Sequence, residues 1–387
     1  MESIHQNQKI FLLRNLAFIC IVGNMLYFIF PFPPVVWRFT FLALCVYSLL
    51  LRRTDIPFLQ FEKALFIFAS LNFVYFLFSY FWQNPNTSQI GSSLCTLLSF
   101  SLFYYLGKSG ALTEKFLNTI IIILTISAFF AYRQAEALLL VSMDRTENIT
   151  NNASTNYLYL LILLFVIRKQ WIRIIVMITS TFLLLHSAKR GNILASVPMI
   201  LLLMPTFWKS GQSLFRRIVI VIVLAISAYY LYQFYNNYEY LQHRIEQTKE
   251  GSSSHRDEIY YSSWRLWIDA DSYHRLFLGY GADGTIHNNI DNYRAHNDWL
   301  EVLVDYGLLG VLLYLYVFLT FLRLVWKNRR KKVISHMLLA CFLTWFLKTL
   351  YSMGYTDERL ILLMFALGIA LSNTYEKEPD ETPTLLP

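Results

Sequence analysis

Charged residues are scarce in this chain. Asp, Glu, Lys and Arg make up only 15% of its 387 residues, whereas hydrophobic residues make up 56%. A soluble domain of average composition carries about 25% charged residues. The deficit is spread along the sequence and is too large for one buried core, so the composition excludes an ordinary soluble protein.

Cysteine is also rare, and Cys20, Cys45, Cys95 and Cys341 all lie inside apolar runs. They show no Cys-x-x-Cys spacing, so the sequence indicates neither a zinc site nor a disulfide framework. No small-residue cleavage site follows the first apolar run, so we expect this run to be retained as a helix and not removed as a signal peptide.

Apolar runs close to the 20 residues that a spanning helix needs are abundant. They predict an all-α, polytopic integral membrane protein with about 12 transmembrane helices. The predicted spans are 10–30, 34–51, 64–82, 90–107, 116–132, 155–168, 171–187, 191–207, 217–235, 299–324, 334–352 and 359–374.

Basic residues are concentrated in every second connection between these runs. With the N-terminus in the cytoplasm, the opposite short connections carry few basic residues apart from Lys189 and Arg190. Because cytoplasmic loops are enriched in Lys and Arg, both termini are predicted to be cytoplasmic. The net charge of +8 is explained by this topology, so no nucleic-acid partner is predicted. The basic connections contain Arg52, Arg53, Lys63, Lys108, Lys115, Arg168, Lys169, Arg173, Lys209, Arg216, Arg217, Lys327, Arg329, Arg330, Lys331 and Lys332.

One extracytoplasmic connection, at 236–298, is much longer than the others. It divides the chain into transmembrane helices 1–9 at 1–235, a long loop with short helices, and helices 10–12 with a cytoplasmic tail at 299–387. The loop holds a disproportionate share of the Arg, His, Asp and Glu residues. We therefore expect any chemistry to be located there.

Two amphipathic helices are expected within this loop, at 238–249 and at about 257–274, followed by a Gly-x-Gly turn at 279–281. Asp269 and Asp271 have the spacing of a metal-binding Asp-x-Asp pair. In the second helix, however, they would point to different faces. The sequence therefore predicts no metal site.

His296 lies where the loop meets the tenth apolar run. Asn297 and Asp298 are expected to cap the helix that begins near Trp299, which puts the imidazole at the membrane surface. A neutral histidine can accept a proton from a hydroxyl group near neutral pH. The alternative is an interfacial histidine without a chemical role.

Three arginines are candidates for binding phosphate groups, because a guanidinium presents a planar fork of donors. Arg190 lies on the side whose short loops otherwise lack basic residues, and charges at membrane depth often mark function. Arg256 and Arg265 lie in the second loop helix, where either could meet Arg190 over a diphosphate. A lipid-headgroup anchor would also explain Arg190, and surface ion pairs would explain the other two.

The segment Ala295-His-Asn-Asp-Trp-Leu-Glu-Val-Leu, followed by Tyr306-Gly-Leu-Leu-Gly310, resembles the signature of the O-antigen ligase and polymerase superfamily. An Arg190-Gly191 turn after an apolar helix, an arginine-containing amphipathic helix and the Gly-x-Gly turn before the histidine support the resemblance, which covers most of the chain. The resemblance implies a fold similar to GT-C-like membrane glycosyltransferases with polyprenyl-linked donors.

The activity that the resemblance implies is transfer of a glycan from undecaprenyl diphosphate to an acceptor hydroxyl, on the periplasmic face of the bacterial inner membrane. It implies no metal or other cofactor. Arg256 fits the family pattern by its local sequence, and Arg265 fits it by its distance from the glycine turn. Either arginine could therefore be the one that the pattern contains. The implied site consists of the catalytic His296, the diphosphate-binding Arg190, Arg256 and Arg265, and the supporting Asn297, Gly279 and Gly281.

Two activities of this superfamily remain open. A ligase would move a finished glycan onto lipid A–core or another acceptor, and a polymerase would join lipid-linked repeat units. The overall layout resembles the ligase more. A transporter of lipid-linked sugars would need polar residues along a path through many helices, whereas here the unusual residues gather at one face. A non-catalytic membrane scaffold is a further alternative.

Overall fold

The computed structural model describes residues 2–26, 33–52, 54–81, 85–141, 151–167, 169–187, 189–207, 229, 232–233, 236, 256–289 and 293–372. These residues form helices and connections, and no strand occurs among them. The α-helices are α1 (Glu2–Met25), α2 (Pro34–Leu50), α3 (Gln60–Ser79), α4 (Thr87–Lys108), α5 (Glu114–Val141), α6 (Thr155–Leu163), α7 (Gln170–His186), α8 (Arg190–Phe207), α9 (Arg256–Ile268), α10 (Tyr273–Leu278), α11 (Gly284–Asn288), α12 (Asp298–Lys327), α13 (Lys332–Tyr351) and α14 (Ile361–Ala370). Short 3-10 helices at Asn152–Ser154 and Glu358–Leu360 precede α6 and α14.

The predicted all-α membrane fold is confirmed in its broad form. Large apolar side chains such as Phe39, Leu50 and Phe81 face outward with 70%, 79% and 80% of their surface exposed, as a lipid environment requires. Among the described residues, six helices are long and apolar enough to cross a membrane. The prediction of about 12 spans stays a prediction, and the span at 217–235 falls largely outside the described residues. The six are Gln6–Met25, Gln60–Ser79, Thr87–Lys108, Glu114–Ala137, Asp298–Lys327 and Val333–Tyr351.

The predicted spans 155–168 and 359–374 are formed differently from the others. Their α-helices, α6 and α14, have 9 and 10 residues, and every residue of both is buried. A helix of this length rises about 15 Å, half of the hydrocarbon core. α14 lies against α4 at close range, since a Cβ on Gly107 would come within 2.7 Å of the Gly368 carbonyl oxygen. Small residues permit such close helix contacts in membranes.

One end of the helix bundle contains His296 and is here called the His296 end. The described residues of the connections that reach it are 26, 33, 80–81, 85–86, 151–154, 187, 189 and 352–360, and α9, α10 and α11 cover it. The basic connections at 51–59, 109–113 and 328–331 lie at the opposite end, because successive helices alternate in direction. This arrangement agrees with the predicted charge asymmetry.

The second loop helix is shorter than predicted. Instead of one helix over about 257–274, the chain forms α9 and α10 with a turn between them at 269–272. Asp269 and Asp271 lie in this turn, where they pair with Arg265 at 3.2 Å and Arg275 at 2.9 Å. The predicted helix at 238–249 lies outside the described residues.

Helix α12 is broken at Gly307, where φ is +65° and ψ is −162°. The break leaves the carbonyls of Val304 and Asp305 without their partners in the helix, and the loop supplies replacements. The amides of Tyr280 and Gly281 donate to them at 2.8 and 2.9 Å. The predicted Gly-x-Gly turn is therefore the joint between the loop and α12.

Glycine is required on both sides of this joint. Gly279 has φ of +77°, and a Cβ on it would collide with the backbone carbonyl of Asp305 and with the amide nitrogen of Gly307. A Cβ on Gly307 would in turn collide with the backbone of Phe277. The two glycines let the backbones approach in a conformation that residues with a Cβ rarely adopt.

Candidate active site

His296 has a left-handed backbone conformation, with φ of +51°, which is uncommon outside glycine. Its neighbours hold this conformation in place. The amide of Ala295 donates to Oε2 of the buried Glu301 at 2.8 Å, and Asn297 begins the next helix. The imidazole is exposed at the His296 end of the bundle.

The predicted helix cap is confirmed for Asn297. Its Oδ1 accepts hydrogen bonds from the amides of Trp299 at 2.9 Å and Leu300 at 3.2 Å, as an N-cap side chain does. Its Nδ2 donates to the carbonyl of Leu350 at 3.0 Å, so the same side chain ties the start of α12 to the end of α13.

Asp298 is not part of the cap, contrary to the prediction. It is fully buried and accepts hydrogen bonds from the hydroxyl of Tyr314 at 2.6 Å and the amides of Gly354 at 2.7 Å and Tyr355 at 3.3 Å. These contacts join the residue after Asn297 to the connection at 352–360. Asp298 therefore fixes the position of that connection relative to His296.

Arg256 lies near His296. Its Nη1 donates to the carbonyl of Tyr351 at 3.0 Å, next to the Leu350 carbonyl that Asn297 binds. Partial burial, followed by the positive charges of Arg256, Lys189 and Arg294, lowers the pKa of His296 below its usual 6.5. The imidazole is therefore neutral near pH 7 and can accept a proton.

Arg265 is placed elsewhere. It is exposed, and it bonds to the hydroxyl of Tyr261 at 2.8 Å and to Asp269 at 3.2 Å. It follows Arg256 by nine residues on α9, which is about 13 Å along the helix axis. Of the two candidate loop arginines, the structure brings Arg256 to His296 and leaves Arg265 on the surface.

Arg190 is the first residue of α8, and its side chain lies outside the described set. The backbone places it close to the same region. A Cβ on the adjacent Gly191 would lie 3.0 Å from the ring of Tyr351, whose carbonyl binds Arg256. The end of α13 is thus the point where the segments of Arg190, Arg256 and His296 meet.

Lysines and an arginine that the sequence analysis did not select also gather here. Lys348 forms a buried ion pair with Asp357, and Arg359 lies 3.5 Å from the same carboxylate. The pKa of Lys189 is lowered to about 7, by burial first and then by the positive charges of Lys348, Arg359 and Arg256. We call Lys189, Arg256, Lys348 and Arg359 the cation cluster.

A sequence signal for the cation cluster existed. Lys348 interrupts the eleventh apolar run, and an ionisable residue inside a membrane span indicates a functional or structural partner. Asp357 and Arg359 lie in the connection that follows.

Buried carboxylates hold the loop beneath His296. Arg294 bridges Glu301 at 2.8 Å and Asp283 at 2.9 Å. Burial alone would lower the pKa of Arg294, but these carboxylates outweigh it and raise the pKa. Thr285 donates to Asp305 from both its amide and its hydroxyl at 2.8 Å. Within the described ranges, no group of three or more His, Cys, Asp or Glu side chains is arranged to hold a metal ion.

The fold and this site define a polytopic helical membrane protein whose polar residues concentrate at one end of the bundle. Residues 174–315 match the family model described as O-antigen ligase, and this segment contains Arg190, Arg256, Arg265 and His296. The match covers less than half of the chain, and it confirms the resemblance to the O-antigen ligase superfamily. No curated protein matches the sequence.

Proposed function

We propose that this protein is a glycosyltransferase of the O-antigen ligase type in the bacterial inner membrane. It transfers a glycan from undecaprenyl diphosphate to an acceptor hydroxyl on the periplasmic face. The family match supports the class of activity. The observation that carries the proposal is that the segments of His296 and Arg256 meet at the last carbonyls of α13, beside the other residues of the cation cluster.

His296 takes the proton of the acceptor hydroxyl. As the proton leaves, the acceptor oxygen forms a bond to the anomeric carbon of the donor sugar, and the bond from that carbon to the diphosphate oxygen breaks. The imidazole then returns the proton to water. The lowered pKa of His296 keeps the imidazole ready for this step at neutral pH.

The leaving undecaprenyl diphosphate gains a negative charge as this bond breaks. Arg190 and Arg256 bind the diphosphate, and Lys189 adds a third cation. Fixed cations in a partly dry site stabilise developing charge more strongly than they would in water. Arg256 fills this role better than Arg265, because its charge acts on both His296 and Lys189 whereas Arg265 pairs with Asp269. Asn297 supports the site by joining α12 to α13, and Gly279 and Gly281 support it by fixing the loop.

A deletion strain complemented with wild type, His296→Ala or Arg190→Ala tests the proposal. Lipopolysaccharide is separated on a silver-stained gel, and undecaprenyl-linked glycan is extracted in parallel. A ligase predicts bare core and long chains on undecaprenyl in the deletion strain and in both variants. A wild-type ladder restored by His296→Ala would refute the role of the histidine.

A polymerase gives a different result in the same strains, namely core that carries a single repeat unit. The superfamily includes both activities. This outcome would therefore support the proposed transfer reaction, with a lipid-linked repeat unit as the acceptor. Transfer by the purified protein in detergent, where no membrane separates two compartments, would exclude a transporter of lipid-linked glycans.

A further inference from the structure

A cavity lies at the His296 end, against the connection at 352–360 and beside the cation cluster. Its volume is about 680 Å³, within the range of small-molecule sites. Helices α1, α2, α4, α5 and α6, the short helix Asn152–Ser154 and residues 356–362 form its walls. The proposed mechanism uses none of its polar side chains, although Arg359 also belongs to the cation cluster.

One wall of the cavity is a hydrogen-bonded network around Glu358. Its carboxylate accepts from Nδ2 of Asn24 at 2.6 Å and from the hydroxyl of Ser92 at 2.5 Å, and it forms an ion pair with Arg38. Asp357 and Arg359 supply a second pair of opposite charges. Asp357 also pairs with the buried Lys348. Both cations that line the cavity, Arg38 and Arg359, therefore already have a carboxylate partner, and neither is left for a phosphate or another anion.

Asn156 provides an acceptor that faces this space. The residue is only 4% exposed and lines the cavity, and its Oδ1 receives no hydrogen bond from any residue that the structure describes. Buried polar atoms in folded proteins nearly always have a partner, so an exception that faces a cavity points to a donor on a ligand. A hydroxyl group is such a donor.

The same cavity also offers apolar surface. Trp37 lines it beside Ile21, Phe41 and Leu362. A ligand that fits must therefore be uncharged, rich in hydroxyl groups and apolar on one face. A pyranose ring has these properties, since its hydroxyls point outward around the ring and its C–H bonds form a flat apolar face.

The cavity and the cation cluster share a wall. Oδ1 of Asn152 accepts a hydrogen bond from Nζ of Lys189 at 2.9 Å, and Asn152 also lines the cavity. Arg359 belongs to both as well. A glycan whose diphosphate or acceptor hydroxyl sits at the cation cluster can therefore place a neighbouring sugar in the cavity.

From this arrangement we infer that the cavity is a sugar-binding subsite for a glycan taking part in the transfer. The inference rests on the proposed function for the identity of the glycan. The geometry is compatible with a sugar of the donor or of the acceptor, and kinetic measurements on each substrate distinguish the two.

Two variants test this subsite. Ala135→Phe fills the cavity from α5, and Ala137→Phe is the matched control, because Ala137 is exposed on the same helix and does not line the cavity. Asn156→Ala removes the carboxamide that carries the unpaired acceptor and leaves the backbone of α6 unchanged in sequence on either side. Apparent KM is measured for the lipid-linked glycan extracted from the deletion strain and for the acceptor glycolipid. Undecaprenyl diphosphate serves as an inhibitor that carries no sugar.

We expect Ala135→Phe and Asn156→Ala to raise the apparent KM for one substrate at least tenfold. Inhibition by undecaprenyl diphosphate and the kinetics of Ala137→Phe should match wild type. A rise confined to the lipid-linked glycan assigns the subsite to the donor, and a rise confined to the acceptor assigns it to the acceptor. Unchanged KM values in both cavity variants would overturn the inference. If Ala135→Phe does not yield folded protein, the KM values of Asn156→Ala alone test the inference.

A binding measurement separates this inference from the proposed function. Saturation-transfer NMR is recorded with the glycan released from its lipid by mild acid and with the protein in nanodiscs. Wild type and Ala137→Phe should transfer saturation to sugar ring protons, and Ala135→Phe should not. A wild-type protein that binds the glycan without transferring it would refute the proposed function and leave the subsite standing. A lack of binding by wild type would refute the subsite.

Discussion

Nη1 of Arg256 donates a hydrogen bond of 3.0 Å to the backbone carbonyl of Tyr351, at the C-terminal end of α13. The last carbonyls of a helix carry partial negative charge and favour a nearby cation. The neighbouring carbonyl of Leu350 binds Asn297 and the hydroxyl of Tyr260, so one helix end holds both the loop helix and the His296 segment. Substitutions of Arg256 and of Arg265 should therefore have different effects on activity.

Arg256→Ala should reduce the rate of glycan transfer by about 10²-fold, the usual effect of removing one charge-stabilising donor from an active site. Arg265→Ala is the matched control on the same helix, and its activity should stay within threefold of wild type, because Arg265 pairs with Asp269 at the surface. Initial rates of purified protein with lipid-linked glycan measure both. Equal losses in the two variants would contradict the assignment of Arg256.

The pH dependence of kcat/KM should be bell-shaped with a maximum below about pH 7. His296 must be neutral to accept a proton, and because its pKa is lowered, activity should rise with pH at a lower value than for an ordinary histidine. Lys189 must be charged to bind the diphosphate, and its pKa of about 7 makes activity fall as the pH rises through that value.

Lys189→Arg separates the two limbs of this profile. Arginine keeps its charge throughout the range, so the alkaline limb should move to higher pH while the acid limb stays in place. Rates from about pH 5 to about pH 8 cover both limbs. An alkaline limb unchanged in Lys189→Arg would show that another group titrates there.

Gly279→Ala should destabilise the protein more than Gly110→Ala. Both glycines have φ of +77°, but a Cβ on Gly110 would meet nothing within 4 Å, whereas a Cβ on Gly279 would strike the backbone of α12. Gly110→Ala therefore isolates the conformational cost, about 1–2 kcal/mol. Thermal unfolding of the two variants in detergent gives the comparison, and equal melting temperatures would mean that the loop moves away from α12 without cost.

The ion pair between Lys348 and Asp357 should behave as a buried pair. Asp357→Asn leaves Lys348, whose side chain is 2% exposed, without its counter-charge, and such single changes cost about 3–5 kcal/mol. Lys348→Met combined with Asp357→Asn should recover much of this loss. A double-mutant cycle on unfolding free energy measures the coupling, and additive effects would argue against a buried pair.

Several of these features could be predicted from the sequence because the signal is local. An Asn next to the start of an apolar run predicted the cap at Asn297, and paired glycines predicted the turn at Gly279. Hydropathy identified the segments that form α6 and α14 but not the lengths of the two helices. An apolar run has the same hydropathy whether protein or lipid surrounds it.

The choice between the loop arginines could not be made from the sequence. The number of residues before Gly279 favoured Arg265 and the local sequence favoured Arg256, and only the three-dimensional structure shows that Arg256 lies near His296. The contacts of Lys348 were beyond reach for a different reason. Lys348 signals a partner by interrupting an apolar run, but its contacts join α13 to a connection, and the sequence does not show which residue of that connection it meets.

The joint at the break in α12 also limits how substrates reach the site. Lifting the Gly279–Gly281 turn away from the bundle would strip the carbonyls of Val304 and Asp305 of their donors. Val304 and Asp305 are fully buried, so little water is available to replace these partners. This part of the loop is therefore fixed to the bundle and does not act as a lid over His296.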